Sequence, residues 1–248
     1  MKPALFLLAL LTTGASAQIV THETSDWEFT TALYAPLMGL DGDVGVRGFA
    51  PAHVDMSFGD ILDELDGGLS GAFEAKKGPW SFAADAIWLK LSSSADGPAK
   101  SYIRLGQEQL MGSLSLGYEF YSSESTSLTV AAGVAFNSID ADVDLFTPRL
   151  PIPIRSGSDS QEWLDPYIAL RFQHSLSDCW NIFGSAAYGG FEVSSDEYYQ
   201  LIAGISYKLT DSTSLALAYR VISVDYHQGG FVYDAKTSGP NLGLVIKF

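Results

Sequence analysis

Apolar residues recur at every second position over most of this sequence, and a two-residue rhythm belongs to extended strands rather than helices. Across residues 109–121, Leu110, Gly112, Leu114, Leu116, Tyr118 and Phe120 share one face, while Gln109, Ser113, Ser115, Gly117 and Glu119 share the other. Across residues 199–209, Tyr199, Leu201, Ala203, Ile205, Tyr207 and Leu209 alternate with Gln200, Gly204, Ser206 and Lys208. The last residues repeat the pattern, with Leu242, Leu244, Ile246 and Phe248 set against Asn241, Gly243, Val245 and Lys247. The fold class is all-β.

The connections between these segments are of two kinds. Short turns fall at residues 77–79, 122–126, 175–179 and 210–213, and longer ones at 40–66, 93–100, 147–161 and 227–239. Residues 193–197 are short but polar and belong by parity with the long set. Counting back from Phe248 gives ten strands: 27–38, 68–76, 80–92, 102–121, 128–145, 164–174, 180–191, 198–209, 214–226 and the last, which extends upstream from Asn241. Eight or twelve are the alternatives. Short turns on one side and long loops on the other are the habit of a transmembrane barrel and are not expected of a β-sandwich.

A terminal Phe on an alternating strand resembles the last strand of bacterial outer-membrane β-barrels. The resemblance implies that this strand closes the barrel and is read by the barrel assembly machinery. It also implies a setting of outer-membrane lipid and lipopolysaccharide in a Gram-negative bacterium. The opening residues agree: Met1-Lys2-Pro3, an apolar run from Ala4 to Leu11, and Ala15-Ser16-Ala17 read as a secretory signal peptide. The expected division is a signal peptide at 1–17, cleaved after Ala17, a periplasmic tail at 18–26 and a single antiparallel barrel at 27–248. No further apolar run reaches the ~20 residues a spanning helix needs.

Aromatic residues fall at two levels along the strands. Trp27, Trp80, Tyr118, Phe120, Trp180, Tyr207 and Phe248 lie near the short-turn end, and Trp88, Phe136, Tyr188 and Tyr199 lie toward the other. Trp80 and Trp88 share a face and at ordinary rise and tilt stand about 20 Å apart in height, close to the ~25 Å apolar band of such barrels. These levels are the expected girdles.

The long stretch after the first strand is irregular. Residues 42–49 and 52–57 can pair as a hairpin, which would raise the count to twelve if it joined the wall. Ser57 then stands as an N-cap with Asp60 three residues on, and Phe58, Ile61, Leu62 and Leu65 follow at helical spacing before Gly67-Gly68. That predicts one short amphipathic helix in the first external loop, able to cap the mouth or enter the lumen. The runs Gly39-Leu40-Asp41-Gly42-Asp43-Val44, residues 54–62 and Phe73-Glu74-Ala75-Lys76-Lys77-Gly78-Pro79-Trp80 also resemble an uncharacterised group of porin-like outer-membrane proteins, over about a quarter of the chain. That resemblance implies a porin-like class and no ligand.

Net charge is −15, which argues against nucleic acid as a partner because phosphate binding needs clustered Lys and Arg. Cys179 is the sole cysteine, so no intrachain disulfide forms. Strand phase assigns Glu28, Glu74, Asp85, Glu119, Asp165, Arg171, Lys208, Arg220 and Lys247 to the lumen, where they line a narrow pore or pair and plug it. Lys247 and Glu28 become neighbours only on closure. Asp140, Asp142 and Asp144 form an acidic ladder where the apolar phase changes, which reads as a strand leaving the membrane. Three carboxylates can contribute to a Ca²⁺ site, but no turn wraps the ion, and solvated charge is the favoured reading. No cofactor is expected.

Hydrolysis needs a base beside a nucleophile or paired carboxylates. Of the four histidines, His22 falls in the tail and His174 near the short-turn end, leaving His53 and His227 at the external side without a recognisable motif. The functional expectation is a porin-like or structural barrel with a narrow polar lumen and no catalysis. The alternatives are a surface binding or adhesion protein acting through the acidic first loop and the Pro-rich loop at 147–161, and less favoured, an outer-membrane hydrolase.

Overall fold

The computed structural model describes residues 26–45, 51–96, 102–146 and 155–248. The predicted signal peptide, residues 18–25 of the tail, residues 46–50 of the predicted hairpin, residues 97–100 of the connection at 93–100 and residues 147–154 of the Pro-rich loop lie outside the described residues. In chain order the elements are β1 (Glu28–Pro36), β2 (Gly39–Gly45), β3 (Ala52–Met56), α1 (Phe58–Glu64), β4 (Leu65–Lys77), β5 (Trp80–Asp96) and β6 (Tyr102–Ser122). They continue as β7 (Thr126–Phe146), β8 (Arg155–Ser175), β9 (Trp180–Gly189), β10 (Glu197–Lys208), β11 (Thr213–Gln228) and β12 (Phe231–Lys247).

Antiparallel pairing runs β1-β4-β5-β6-β7-β8-β9-β10-β11-β12, and β12 returns to β1, so ten strands close into a barrel. The seam is sealed at its foot by the last residue. Phe29 and Phe248 each donate a backbone N–H to the other's carbonyl at 3.0 Å, and their rings stack at 6.0 Å. Beside them Lys247 Nζ lies 2.7 Å from Glu28 Oε2.

The extra hairpin does not add to the wall because of its register. Pro36 pairs with Asn241 and Gly39 with Ser238, so β2 continues β1 along β12 without an offset. β3 then folds back on β2 in the position that β4 holds lower down. The hairpin therefore stands on top of the wall rather than within it. α1 bridges the remaining gap, packing on β2, β3 and β5 without burying any residue fully. It sits at the rim, with Ile61 packed against the buried cluster of the interior. Its start is the capping box the sequence predicts: Ser57 Oγ accepts from Asp60 N, and an Asp60 carboxylate oxygen accepts from Ser57 N at 2.9 Å.

The outer surface is apolar across the middle of the barrel, where Leu114, Leu116, Val130, Ile168, Leu170, Leu201 and Leu217 are all exposed. A water-soluble protein rarely leaves so continuous an apolar belt open. Below it stand the exposed Trp27, Trp80, Phe120, Trp180 and Phe248, and above it Tyr188 and Tyr219. Leu242 and Leu244 are exposed on β12 and Ile246 is half-buried, while Asn241 and Val245 point in.

Above the belt the pattern inverts. On β7, Asp140 and Asp142 continue the outward face, while Ile139, on the inward face, is fully buried. No bulge interrupts β7 there, since its pairing with β6 and β8 stays in step from Asn137 to Leu145. The phase change in the sequence is a change of solvent. Within the membrane the apolar side must face lipid, and above it the same barrel wall turns its apolar side inward.

Candidate functional site: the lumen and the external rim

The lumen is built in three storeys. The middle one is polar and fully spanned. Arg220 on β11 donates through Nη2 to Asp85 on β5 at 2.5 Å, through Nη1 to the Tyr34 hydroxyl at 2.8 Å, and through Nε and Nη2 to Gln200. Tyr34 in turn donates to the second Asp85 oxygen at 2.9 Å. Each nitrogen of the guanidinium and both oxygens of the Asp85 carboxylate thus have a partner, the condition under which a buried ion pair is tolerated in low dielectric. Because β5 and β11 stand far apart in the ring, this network is a bar across the lumen.

The upper storey is aromatic. Trp163 on β8 stacks on Tyr226 of β11 with centroids 4.2 Å apart and is flanked by Phe231 and Tyr233 of β12. Gln109 on β6 donates to the Tyr233 hydroxyl at 3.1 Å. All five residues are buried. They meet inside the upper barrel from β6, β8, β11 and β12. Burial raises the phenol pKa of Tyr226 and Tyr233 above the ordinary tyrosine range.

The lower storey, toward the short turns, is polar and roomier. Lys76 pairs with Glu119 at 2.7 Å, and Arg171 donates to Ser115 Oγ. A cavity of about 40 Å³ lies between Ala83, Ser113, Ser115, Arg171, Ser185 and Gln200. Small residues make the room: a Cβ on Gly133 would stand 2.7 Å from the Tyr167 ring and 2.3 Å from Leu114 O.

The charged residues assigned to the lumen by phase therefore have different fates. Asp85 and Arg220 form the bar, Glu74 is buried in the lower storey, and Glu119 and Arg171 line it. Glu28 and Lys247 meet at the seam, and Lys208 reaches into its own turn to Asp211 at 2.8 Å. Asp165 is fully buried but serves the connection between β9 and β10: it accepts from Ser195 N at 2.8 Å and Ser195 Oγ at 2.7 Å. Those bonds hold a turn in which Phe191 and Glu192 adopt φ of 52° and 58°, a costly region for a bulky residue.

Tyr34, Gln200, Lys76 and Trp163 were not singled out from the sequence. Tyr34 shares the phase of Glu28, Lys76 that of Glu74, and Gln200 that of Lys208, so each was legible as lumen-facing. What each one meets was not.

On the outer wall, one residue below the paired Tyr226 and Tyr233, runs a row of charges. Cross-strand pairing sets Glu197 opposite Asp225, Asp225 opposite Asp234, Asp234 opposite Asp43, and Asp43 opposite His53. Four carboxylates thus stand side by side on one face. His53 Nδ1 lies 3.1 Å from Asp43 Oδ1 and its Nε2 3.7 Å from Asp41. His227 Nδ1 lies 2.8 Å from Asp225 Oδ1. Both external histidines therefore have a carboxylate within reach, but on a convex outer wall rather than in a cleft.

Among the described residues, ligand atoms converge to metal-binding spacing at Asp196, Asp225 and His227, all within 4.8 Å of one another. The ladder Asp140, Asp142 and Asp144 is strung along the outward face of β7. There Asp144 accepts from Ser156 Oγ at 2.7 Å, and the Asp142 carboxylate lies over Gly106.

No family model matches this sequence, and no curated protein matches it. The fold does have counterparts. The outer membrane protease OmpT from Escherichia coli superposes with a TM-score of 0.62 at 11% identity, covering 93% of this chain and 99% of that one. Neisserial surface protein A matches at a TM-score of 0.32 and 13% identity over 90% of this chain and 96% of that one. The translocator domain of the autotransporter NalP from Neisseria meningitidis gives 0.36 and 11%, over 92% and 90%. At such identities the likeness is one of architecture. With its closed ten-stranded wall, its apolar belt and its aromatic levels, this chain has the fold of a bacterial outer-membrane β-barrel.

Proposed function

We propose that this protein is a closed, structural barrel of the outer membrane that acts through its external surface rather than as a diffusion pore. The observation that carries this reading is the double closure of the lumen, by the Arg220–Asp85–Tyr34 bar and by the Trp163–Tyr226 stack above it. A solute would have to break a buried ion pair and part an aromatic stack in turn. Ten-stranded barrels are only slightly wider than the eight-stranded kind whose side chains fill the interior, so little space remains beside the bar. The surface left to function is the external extension, with its acidic row from Glu197 to Asp43 and the α1 cap.

Catalysis finds less support. His227–Asp225 and His53–Asp43 have the geometry of an oriented base, yet they sit on the outer wall, partly or fully exposed. A hydrolytic site needs a concave pocket that holds substrate against its base and excludes water. Conductance in planar bilayers tests the proposal. The purified native protein is expected to give no unit conductance, and the double variant R220A/W163A is expected to give discrete openings. Reproducible native openings would sink the closed-barrel reading and restore a porin.

A further inference from the structure

On one side of the external extension the wall is a strand short. β8 pairs with β7 as far up as Arg155, opposite Leu145, but its pairing with β9 ends at Tyr167, opposite Gly189. The chain turns there: Gly190, Phe191 and Glu192 all have positive φ, and Asp165 pins the turn through Ser195. β10 begins at Glu197 beyond the turn and pairs with β9 and β11, never with β8. From Leu164 up to Ser156, about 26 Å at ordinary strand rise, β8 therefore has no strand on this edge among the described residues.

Strand parity says which groups line the edge. Leu164 O accepts from Ser194 Oγ at 2.8 Å and Pro166 O from Gly190 N at 3.1 Å, so even-numbered residues turn their backbone groups to this side. Next along are Glu162, Ser160, Ser158 and Ser156, all exposed. The Ser160 N–H, with no strand carbonyl to meet, is taken by the Asp159 carboxylate at 3.1 Å. A row of N–H and C=O groups left open in this way is a template for another strand.

Charge selects the occupant. Asp140, Asp142 and Asp144 stand on β7 directly opposite Ser160, Ser158 and Ser156, and Glu162 lies on the edge strand itself. An added strand would run about 10 Å from β7, and the short serines between leave the carboxylates within reach of long cationic side chains. In antiparallel pairing the residues bonded to this edge share its outward face, so every second residue of the partner faces the acidic ladder. A second copy is disfavoured by geometry: two barrels in one membrane point β8 outward in the same direction, and antiparallel self-pairing would need one of them inverted. We propose that the open edge of β8 binds an extended cationic peptide segment as an added antiparallel strand, with Lys or Arg at alternate positions over Asp140, Asp142 and Asp144. This goes beyond the closed-barrel reading and does not depend on whether the lumen conducts.

Fluorescence anisotropy of a labelled ten-residue peptide of alternating Lys and Thr, added to the refolded full chain in zwitterionic detergent, tests this. Saturable one-to-one binding is expected, with a peptide of alternating Glu and Thr at least tenfold weaker. N-methylating the Lys residues removes the pairing N–H groups and keeps the charge, so a loss of tenfold or more is expected. N-methylating the Thr residues, whose N–H groups face away from β8, is expected to be tolerated. S158P removes an edge N–H without touching the ladder to β7, a place where proline is accommodated. It is expected to keep the heat-modifiable gel shift of a folded barrel and to weaken binding tenfold or more. D140N/D142N keeps the edge intact and should also weaken binding tenfold. No saturable binding, a Lys-methylated peptide as tight as the Thr-methylated one, or full affinity in either S158P or D140N/D142N would each overturn the assignment. Native dimers that S158P dissociates would overturn it in favour of a second copy.

Discussion

Trp163 and Tyr226 meet face to face, 11° from parallel, from strands on different walls of the external extension. An offset aromatic stack of this kind adds about 0.5–1.5 kcal/mol beyond burial. Truncating a buried aromatic costs about 3–5 kcal/mol. W163A is therefore expected to lower unfolding stability by that amount in denaturant titration while giving no conductance, because the bar of Arg220 remains. Open channels in W163A alone would show that the polar storey does not seal.

Arg220 is expected to be the most sensitive charged position in the barrel. R220A leaves Asp85 buried without its cation, which costs about 3–5 kcal/mol. R220K is expected to recover little, since a single ammonium cannot reach Asp85, Tyr34 and Gln200 together. R220M/D85L removes both charges and is expected to restore most of the stability. Denaturant midpoints of the four proteins decide it, and an R220A as stable as the native protein would show that the bar contributes nothing.

The apolar belt gives a direct test of lipid contact. Leu114 is 50% exposed near the middle of the belt. In a water-soluble protein an exposed Leu-to-Arg change usually stays within about 0.5 kcal/mol. On a lipid face near the midplane it costs about 2–4 kcal/mol. Folding of L114R into vesicles is expected to show the larger loss, and a neutral L114R would place this face in water.

Like charges directly opposite one another on a sheet destabilise it. The row Glu197–Asp225–Asp234–Asp43 puts Asp234 between two carboxylates. D234N is expected to stabilise the extension by a few tenths of a kcal/mol, and the gain should shrink as salt screens the repulsion. Amide exchange of β11 and β12 above the membrane at low and high ionic strength reads this. Faster exchange in D234N at low salt would mean that the carboxylate is needed where it stands.

The start of α1 carries a pH dependence. Hydrogen bonds from Ser57 hold the Asp60 carboxyl below the usual aspartate value. A depressed folded value means that Asp60 contributes stability once pH is above its unfolded pKa, and that contribution is lost as pH falls through the lower folded one. Amide exchange within 58–64 is therefore expected to rise on acidification below the ordinary aspartate range, with S57A removing most of the dependence. An S57A helix with unchanged acid sensitivity would assign the effect elsewhere.

Much of this architecture is local in origin, and local features are written in the residues. Alternation every second position sets strand faces, short and long connections set parity, and Ser57 with Asp60 starts the helix. The meeting of Lys247 with Glu28 was legible too, because closure brings the last strand to the first whatever the barrel's tilt. The occupants of the lumen were not. Arg220 and Asp85 lie 135 residues apart, and whether they meet depends on strand tilt and stagger, which are properties of the closed sheet and of no single strand. The same holds above the membrane, where the acidic outward residues of β7 announced a change of surroundings. That the inside would fill with Trp163, Tyr226, Phe231 and Tyr233 follows only from the folded ring that brings those strands together.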